Sequence, residues 1–348
     1  MSAPWTPAAV QANLTLWLDA ADDSTLSLSG SNVSAWASKG RATISATPYS
    51  GVPVLRTDMG LARTVDVAGA VLQLAASKAL FAHLHQVGGC VYAVARFGAS
   101  GNPGQFINLL GNNGWTFATR GVQIGYEDRA VVSGANNAAA IAIGNGGAGG
   151  NRVVNHFNDS TAIFSGYNNR IAPQTFAIGA WMLNTGAAQP NRGAYSHNGD
   201  AFAGGSTYTL AAAVGDAGYD MTINGVGPGV SPASVGLALA VSELIVFDAP
   251  PSQGLSDAVI GYLAHKWGLA ADLAPSHPYK SSPPALGSPV HEHVWRYRDE
   301  FTGPDAVVGK VERYIDAHTN APQRARVSLL RARDKQLEKF LGIAAALL

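Results

Sequence analysis

The chain has 348 residues with 23 basic and 23 acidic side chains, so neither a strongly basic nucleic-acid surface nor a like-charged, solvent-swollen chain is its overall character. Forty glycines and a charged fraction of only 13% suit the tight turns of an all-β protein better than helical packing. The single cysteine, Cys90, cannot form an intramolecular disulfide, and within VGGCVYAVARF it reads as a buried strand residue.

The N-terminal MSAPWTPAAV has neither a charged nor an apolar signal region, and no apolar run approaches about 18 residues. These features predict synthesis in the cytoplasm and no membrane insertion. LTLWLDAADDSTL supplies the first strand, with Leu14, Leu16 and Leu18 alternating before an acidic turn at Asp19, Asp22 and Asp23. Short strands then recur about every ten residues: SNVSAWASKG, VPVLRTD, VDVAGAVLQLA, CVYAVARF, QFINLLG, WTFATRGVQIGYE, RVVNHF, TAIFSGY, QTFAIGAWML, YTLAAAVG, MTING and SELIVFD. No helices alternate with them, which predicts an antiparallel sandwich or barrel and not a βαβ fold.

LSDAVIGYLAHKWGL breaks that rhythm. Leu255, Val259, Ile260, Leu263 and Trp267 lie on one helical face, so the sequence predicts one helix over Leu255 to Leu269, capped by Ser256 and ended by Gly268. HPYKSSPP follows as an exit segment. Beyond it composition changes: residues 288–348 hold 18 charged side chains, against 28 in residues 1–287, which places a boundary near Pro283 to Pro289. The predicted organisation is a module at 1–285 and a C-terminal extension at 286–348. Within that extension RARVSLLRAR alternates like a strand. Leu337, Phe340, Leu341, Ala344 and Leu348 instead follow helical spacing, so strand and helix both stand as readings. Its apolar positions, Leu329, Leu330, Leu337, Phe340 and Leu341, are the candidate attachment residues, serving other subunits or further copies of the chain in a homo-oligomer.

The opening LWLDAADDSTL with SGSNVSAWASKG, and the closing SELIVFD with LSDAVIGYLAHKWGL and HPYKSSPP, resemble the two ends of the LamG-like jelly-roll module. That module belongs to the concanavalin A-like lectin/glucanase superfamily and occurs in tailed-bacteriophage structural proteins. The resemblance covers about residues 5 to 285. It implies an all-β, antiparallel two-sheet jelly-roll sandwich with first and last strands adjacent and one short helix after the last strand. It also implies a binding or structural role within a virion, with other virion proteins as partners and host-surface glycans as a further ligand class. RARVSLLRAR in turn resembles the first strands of carboxypeptidase-regulatory or transthyretin-like modules.

Catalysis by a glucanase of this fold needs two carboxylates flanking a glycosidic bond, carried at period two on one strand face. No two acidic residues here are spaced i, i+2, and residues 1–287 contain only Glu127 and Glu243 as glutamates. The expectation is therefore a chain that is not an enzyme, with a glycoside hydrolase as the weaker reading. Asp19, Asp22 and Asp23 are candidate calcium ligands, weighed against an acidic turn held by Asx hydrogen bonds. Trp115, Tyr126, Tyr167, Asn168, Tyr195 and His197 sit in Gly/Asn-rich connections, where rings stack on sugar faces and amides meet hydroxyls. Gly144 to Gly149 matches GxGxxG, but no helix-forming sequence follows it, so it reads as a glycine-rich turn. His291 and His293 lack further metal ligands nearby and read as linker. No other cofactor is implied.

Overall fold

Apolar runs punctuated by turn residues give seventeen strands among the described residues of the computed structural model, which are 4–98, 106–113, 119–127, 138–145, 153–156, 175–184, 193–204, 215–225 and 239–285. The first seven are β1 (Leu14–Asp19), β2 (Leu26–Ser29), β3 (Asn32–Ala37), β4 (Ser45–Ser50), β5 (Val54–Arg56), β6 (Thr64–Asp66) and β7 (Val71–Leu74). A one-turn helix α1 (His83–Gln86) leads into β8 (Gly88–Phe97), β9 (Phe106–Gly111), β10 (Arg120–Glu127), β11 (Ala138–Asn145) and β12 (Val153–His156). Then come β13 (Phe176–Asn184), β14 (Gly193–His197), β15 (Ala203–Gly204), β16 (Met221–Ile223), β17 (Leu239–Phe247) and the helix α2 (Gln253–Lys266).

Every ladder is antiparallel. One layer runs β1-β17-β8-β13-β14-β15, and the other runs β2-β3-β4-β7-β16-β9-β10-β11-β12. Hydrogen bonding continues from one to the other through β3-β5-β6-β17, so the sandwich is a single sheet curled on itself. The first and last strands are neighbours, with Leu18 opposite Leu244 and Asp19 opposite Glu243. The two layers meet in an aromatic core: the Tyr126 ring on β10 lies 5.3 Å from Trp181 on β13 and 4.0 Å from Phe97 on β8.

β8 is almost wholly buried and β17 entirely so, as strands covered on both faces must be. The second cover is α2, whose Val259, Ile260, Leu263 and Trp267 all join the core. Each contributes about 2 kcal/mol by leaving water. The helix begins earlier than its sequence suggests. Ser252, whose backbone is extended, is the N-cap and accepts from the Leu255 N–H at 3.3 Å, while Ser256 is buried one turn inside. Gly268 takes φ +72°, and the Leu269 N–H then reaches back to the Ala264 carbonyl at 2.8 Å, which stops the helix.

The segment after α2 straps back over the module. Gly261 leaves room for the Tyr279 ring, and His265 Nε2 lies 2.7 Å from the Tyr279 carbonyl. His277 packs against Gly199 in the turn after β14. The module then closes on its own beginning: the Trp5 N–H donates to Pro284 O at 3.1 Å, and Pro4 bridges Ala285. The chain separates into two units, Met1–His293 and Val294–Leu348. The second unit lies outside the described residues, and with it Leu329, Leu330, Leu337, Phe340 and Leu341. No helix among the described residues is long and apolar enough to cross a membrane.

Candidate functional site

A like-charged pair directly across a ladder is unfavourable unless something neutralises it. Asp19, at the end of β1, faces Glu243 on β17, and the compensating cation comes from the last turn of α2. Lys266 Nζ sits 2.6 Å from Asp19 Oδ1 and 2.7 Å from Glu243 Oε2. The rest of the Glu243 carboxylate is saturated. Its Oε1 accepts from Trp17 Nε1 at 2.7 Å and the Tyr262 hydroxyl at 3.0 Å, and Oε2 accepts from Trp267 Nε1 at 2.6 Å. Asp19 Oδ2 takes a second cation, Lys39, at 3.0 Å. Lys39 also reaches Asp22 at 2.8 Å and lies 4.1 Å from the centre of the Trp17 ring.

The cluster is dry. Glu243 is 0% exposed, and the Asp19 side chain is 5% exposed. Burial, helped by the Asp19 charge and opposed by Lys266, raises the Glu243 carboxyl above the ordinary carboxylate range. Burial and the neighbouring carboxylates also push the Tyr262 phenol far up, so it stays a hydroxyl donor. Burial pulls Lys39 down, but its bonds to Asp22 and Asp19 outweigh this and leave it raised. Asp22, near the surface, is lowered to about 2 by its bonds with Lys39 and Ser24.

These pairings replace the calcium ligand set that the acidic turn suggests. Asp19 is held by Lys266 and Lys39. Asp22 shares Lys39 and makes the Asx bond to the Ser24 N–H at 3.1 Å, while Asp23 turns outward to Arg63. No group of three or more His, Cys, Asp or Glu side chains able to hold a metal occurs among the described residues. The acidic turn therefore does not fit calcium.

Three of the candidate sugar-contacting residues also need correction. Tyr126 and Tyr195 are not loop residues. They lie in β10 and β14, are 1% and 0% exposed, and their hydroxyls meet at 2.6 Å between the layers. His197 ends β14, is buried, and has Nδ1 3.2 Å from the Tyr195 hydroxyl. None of the three presents a ring face to solvent. Trp115, Tyr167 and Asn168 lie outside the described residues.

The sequence names Glu243 only as one of two glutamates in residues 1–287 and singles out neither Lys266 nor Lys39. The signal was present in AVSELIVF: a glutamate inside a continuous apolar strand requires a cation brought from elsewhere.

No known family profile matches the chain, and no curated protein matches it. Among solved structures it is similar to the receptor-binding domain of botulinum neurotoxin C/D mosaic serotype, at 8% identity and a TM-score of 0.47, covering 72% of this chain and 51% of that one. The binding domain of Paraclostridial Mosquitocidal Protein 1 gives 10% identity, a TM-score of 0.46 and coverage of 72% and 52%. Trypanosoma rangeli sialidase in complex with sialic acid gives 14%, 0.40, and 76% and 36%. The chain thus spans about half or less of the length of these proteins. At these scores the similarity carries no argument about ligand or activity.

Proposed function

We propose that the chain is a non-enzymatic, lectin-like jelly-roll module of a tailed-phage particle, held in place by its C-terminal extension. The observation that carries the non-enzymatic part is the state of Glu243. A general acid or nucleophile needs an oxygen facing its substrate. Both oxygens of Glu243 are instead engaged by Trp17, Tyr262, Trp267 and Lys266, all from the module's own strands and helix. The display part is supported by the resemblance of the two ends to LamG-like modules and by the closure of the module on itself at Pro4 and Ala285.

Deleting residues 288–348 is expected to leave a folded module that is missing from assembled particles. Normal incorporation of that truncation would overturn the anchoring reading. Release of reducing ends from host polysaccharide by the full chain would overturn the non-enzymatic one. The second reading is a carbohydrate-binding, receptor-recognition module. A glycan array run with and without calcium tests it, and binding to no glycan in either arm removes it.

A further inference from the structure

The Asp19, Lys266, Glu243 cluster carries more than an ion pair. It brings an amine, a carboxyl group and a proton acceptor into contact inside an aromatic wall, with a second cation on the carboxyl oxygen that would gather charge. We propose that Lys266 and Asp19 condense after folding into an intramolecular amide, an isopeptide bond that ties β1 to α2, with Glu243 carrying the protons and Lys39 stabilising the intermediate.

The geometry supplies each requirement. Lys266 Nζ touches Asp19 Oδ1 at 2.6 Å, so the nucleophile is already at the carboxyl group and no diffusional step remains. Glu243 Oε2, 2.7 Å from the same nitrogen, can take one proton and leave a neutral amine beside a neutral acid. The exchange turns the buried Glu243 carboxylate into an uncharged acid, the form that its burial favours. Glu243 passes that proton on to Asp19 Oδ1, which makes the carboxyl group an uncharged electrophile and returns Glu243 to its starting form. Attack of the nitrogen lone pair on Asp19 Cγ then forms the C–N bond and places one negative charge on Oδ2, where Lys39 stands at 3.0 Å. The carbonyl re-forms as the Cγ–Oδ1 bond breaks, and Oδ1 leaves as water with the proton it already holds and a second one from the nitrogen. An ammonium and a carboxylate become one amide and one water, and no oxidant, reductant or activating group is consumed.

The energetic case rests on burial. An amide from charged partners gains little in bulk water, but here it removes the charge of a buried carboxylate that otherwise stands opposite a second one. Trp17 and Trp267, 5% and 6% exposed, wall the carboxylates on two sides. The bond would close a loop between residues 247 apart and staple the first strand to the helix that follows the last. This proposal does not depend on the virion reading.

The test is the intact mass of the full chain after denaturation, followed by tryptic mapping. The expected result is a chain lighter than its sequence by one water, resistant to cleavage after Lys266, with a branched peptide pair joining Asp19 to Lys266. Lys266→Arg and Glu243→Gln should each recover the full mass. A wild-type chain of full mass with both peptides free overturns the proposal, whether or not the variants fold. So does a water loss that persists in Lys266→Arg, which would place the link elsewhere.

Discussion

Gly261 offers a test in which two known effects oppose each other and their magnitudes decide the sign. It lies in the middle of α2, where replacing glycine with alanine normally gains about 1 kcal/mol of helix stability. A Cβ there would stand 2.6 Å from Tyr279 Cβ and 2.9 Å from both Cγ and Cδ2 of the same ring. Overpacking of that kind costs about 1–3 kcal/mol when the neighbour cannot retreat. Tyr279 is held by the His265 bond to its carbonyl, so its backbone does not yield freely. The expected net effect of Gly261→Ala is therefore a loss of about 1 kcal/mol. In a Tyr279→Gly background, all three of the nearest clashing atoms are gone, and the same substitution should stabilise by about 1 kcal/mol. Urea unfolding of the full chain, followed by tryptophan fluorescence, measures both legs. Stabilisation by Gly261→Ala in the wild-type background would refute the reasoning, because it would mean that the strap does not press on the helix.

Glu243→Ala strands the indole donors of Trp17 and Trp267 and leaves Lys266 with Asp19 and the Tyr262 hydroxyl; the expected loss is at least about 3 kcal/mol, read from the urea midpoint, and a change under about 1 kcal/mol would contradict a buried, saturated carboxylate. His277 is held down to about 4, first by burial and then by the electrostatic influence of neighbouring His265 and Lys280, so its folded form prefers to be neutral. Unfolding lets it bind a proton near its free value of about 6.5; stability is therefore full above that pH and declines as pH falls toward 4, by an amount on the order of 1 kcal/mol after solvent screening. His277→Gln should flatten the slope of thermal midpoint against pH across that window, and an unchanged slope would show that another group sets it.

Periodicity made much of this fold legible. The helical spacing of Val259, Ile260, Leu263 and Trp267 selects the face that lies in the core, and the two-residue alternation of Leu14, Leu16 and Leu18 selects a buried first strand. The sequence places the helix start one turn late because Ser252 and Ser256 are both competent caps by type, and only the backbone, extended at Ser252 and helical at Ser256, decides between them. Tyr126 belongs to the strand run WTFATRGVQIGYE, and only the glycines around it suggest a connection. Yet Val122, Ile124 and Tyr126 already alternate at period two, and all three are buried on β10. Composition around a residue was weaker evidence than the phase of the strand it continues.

The candidate site was hidden for a different reason. Asp19, Lys39, Glu243 and Lys266 are scattered over nearly the whole module, and only the adjacency of β1 and β17 brings the two carboxylates together. What local sequence does contain is a charge imbalance by environment: one glutamate in an apolar strand, and one lysine beside a tryptophan at the end of an apolar helix face. Neither can be buried alone, since an unpaired desolvated charge costs more than a domain's stability margin leaves to spare. Given that the first and last strands pair, the two must find each other, and Asp19 must be compensated by the same lysine or by a second one. The structure uses both. That requirement also bears on the calcium reading of the acidic turn. The same oxygens that would suit a hard cation are placed to neutralise Lys39 and Lys266. A spacing of carboxylates reads as a metal site only after the ammonium groups that the fold delivers to them have been counted.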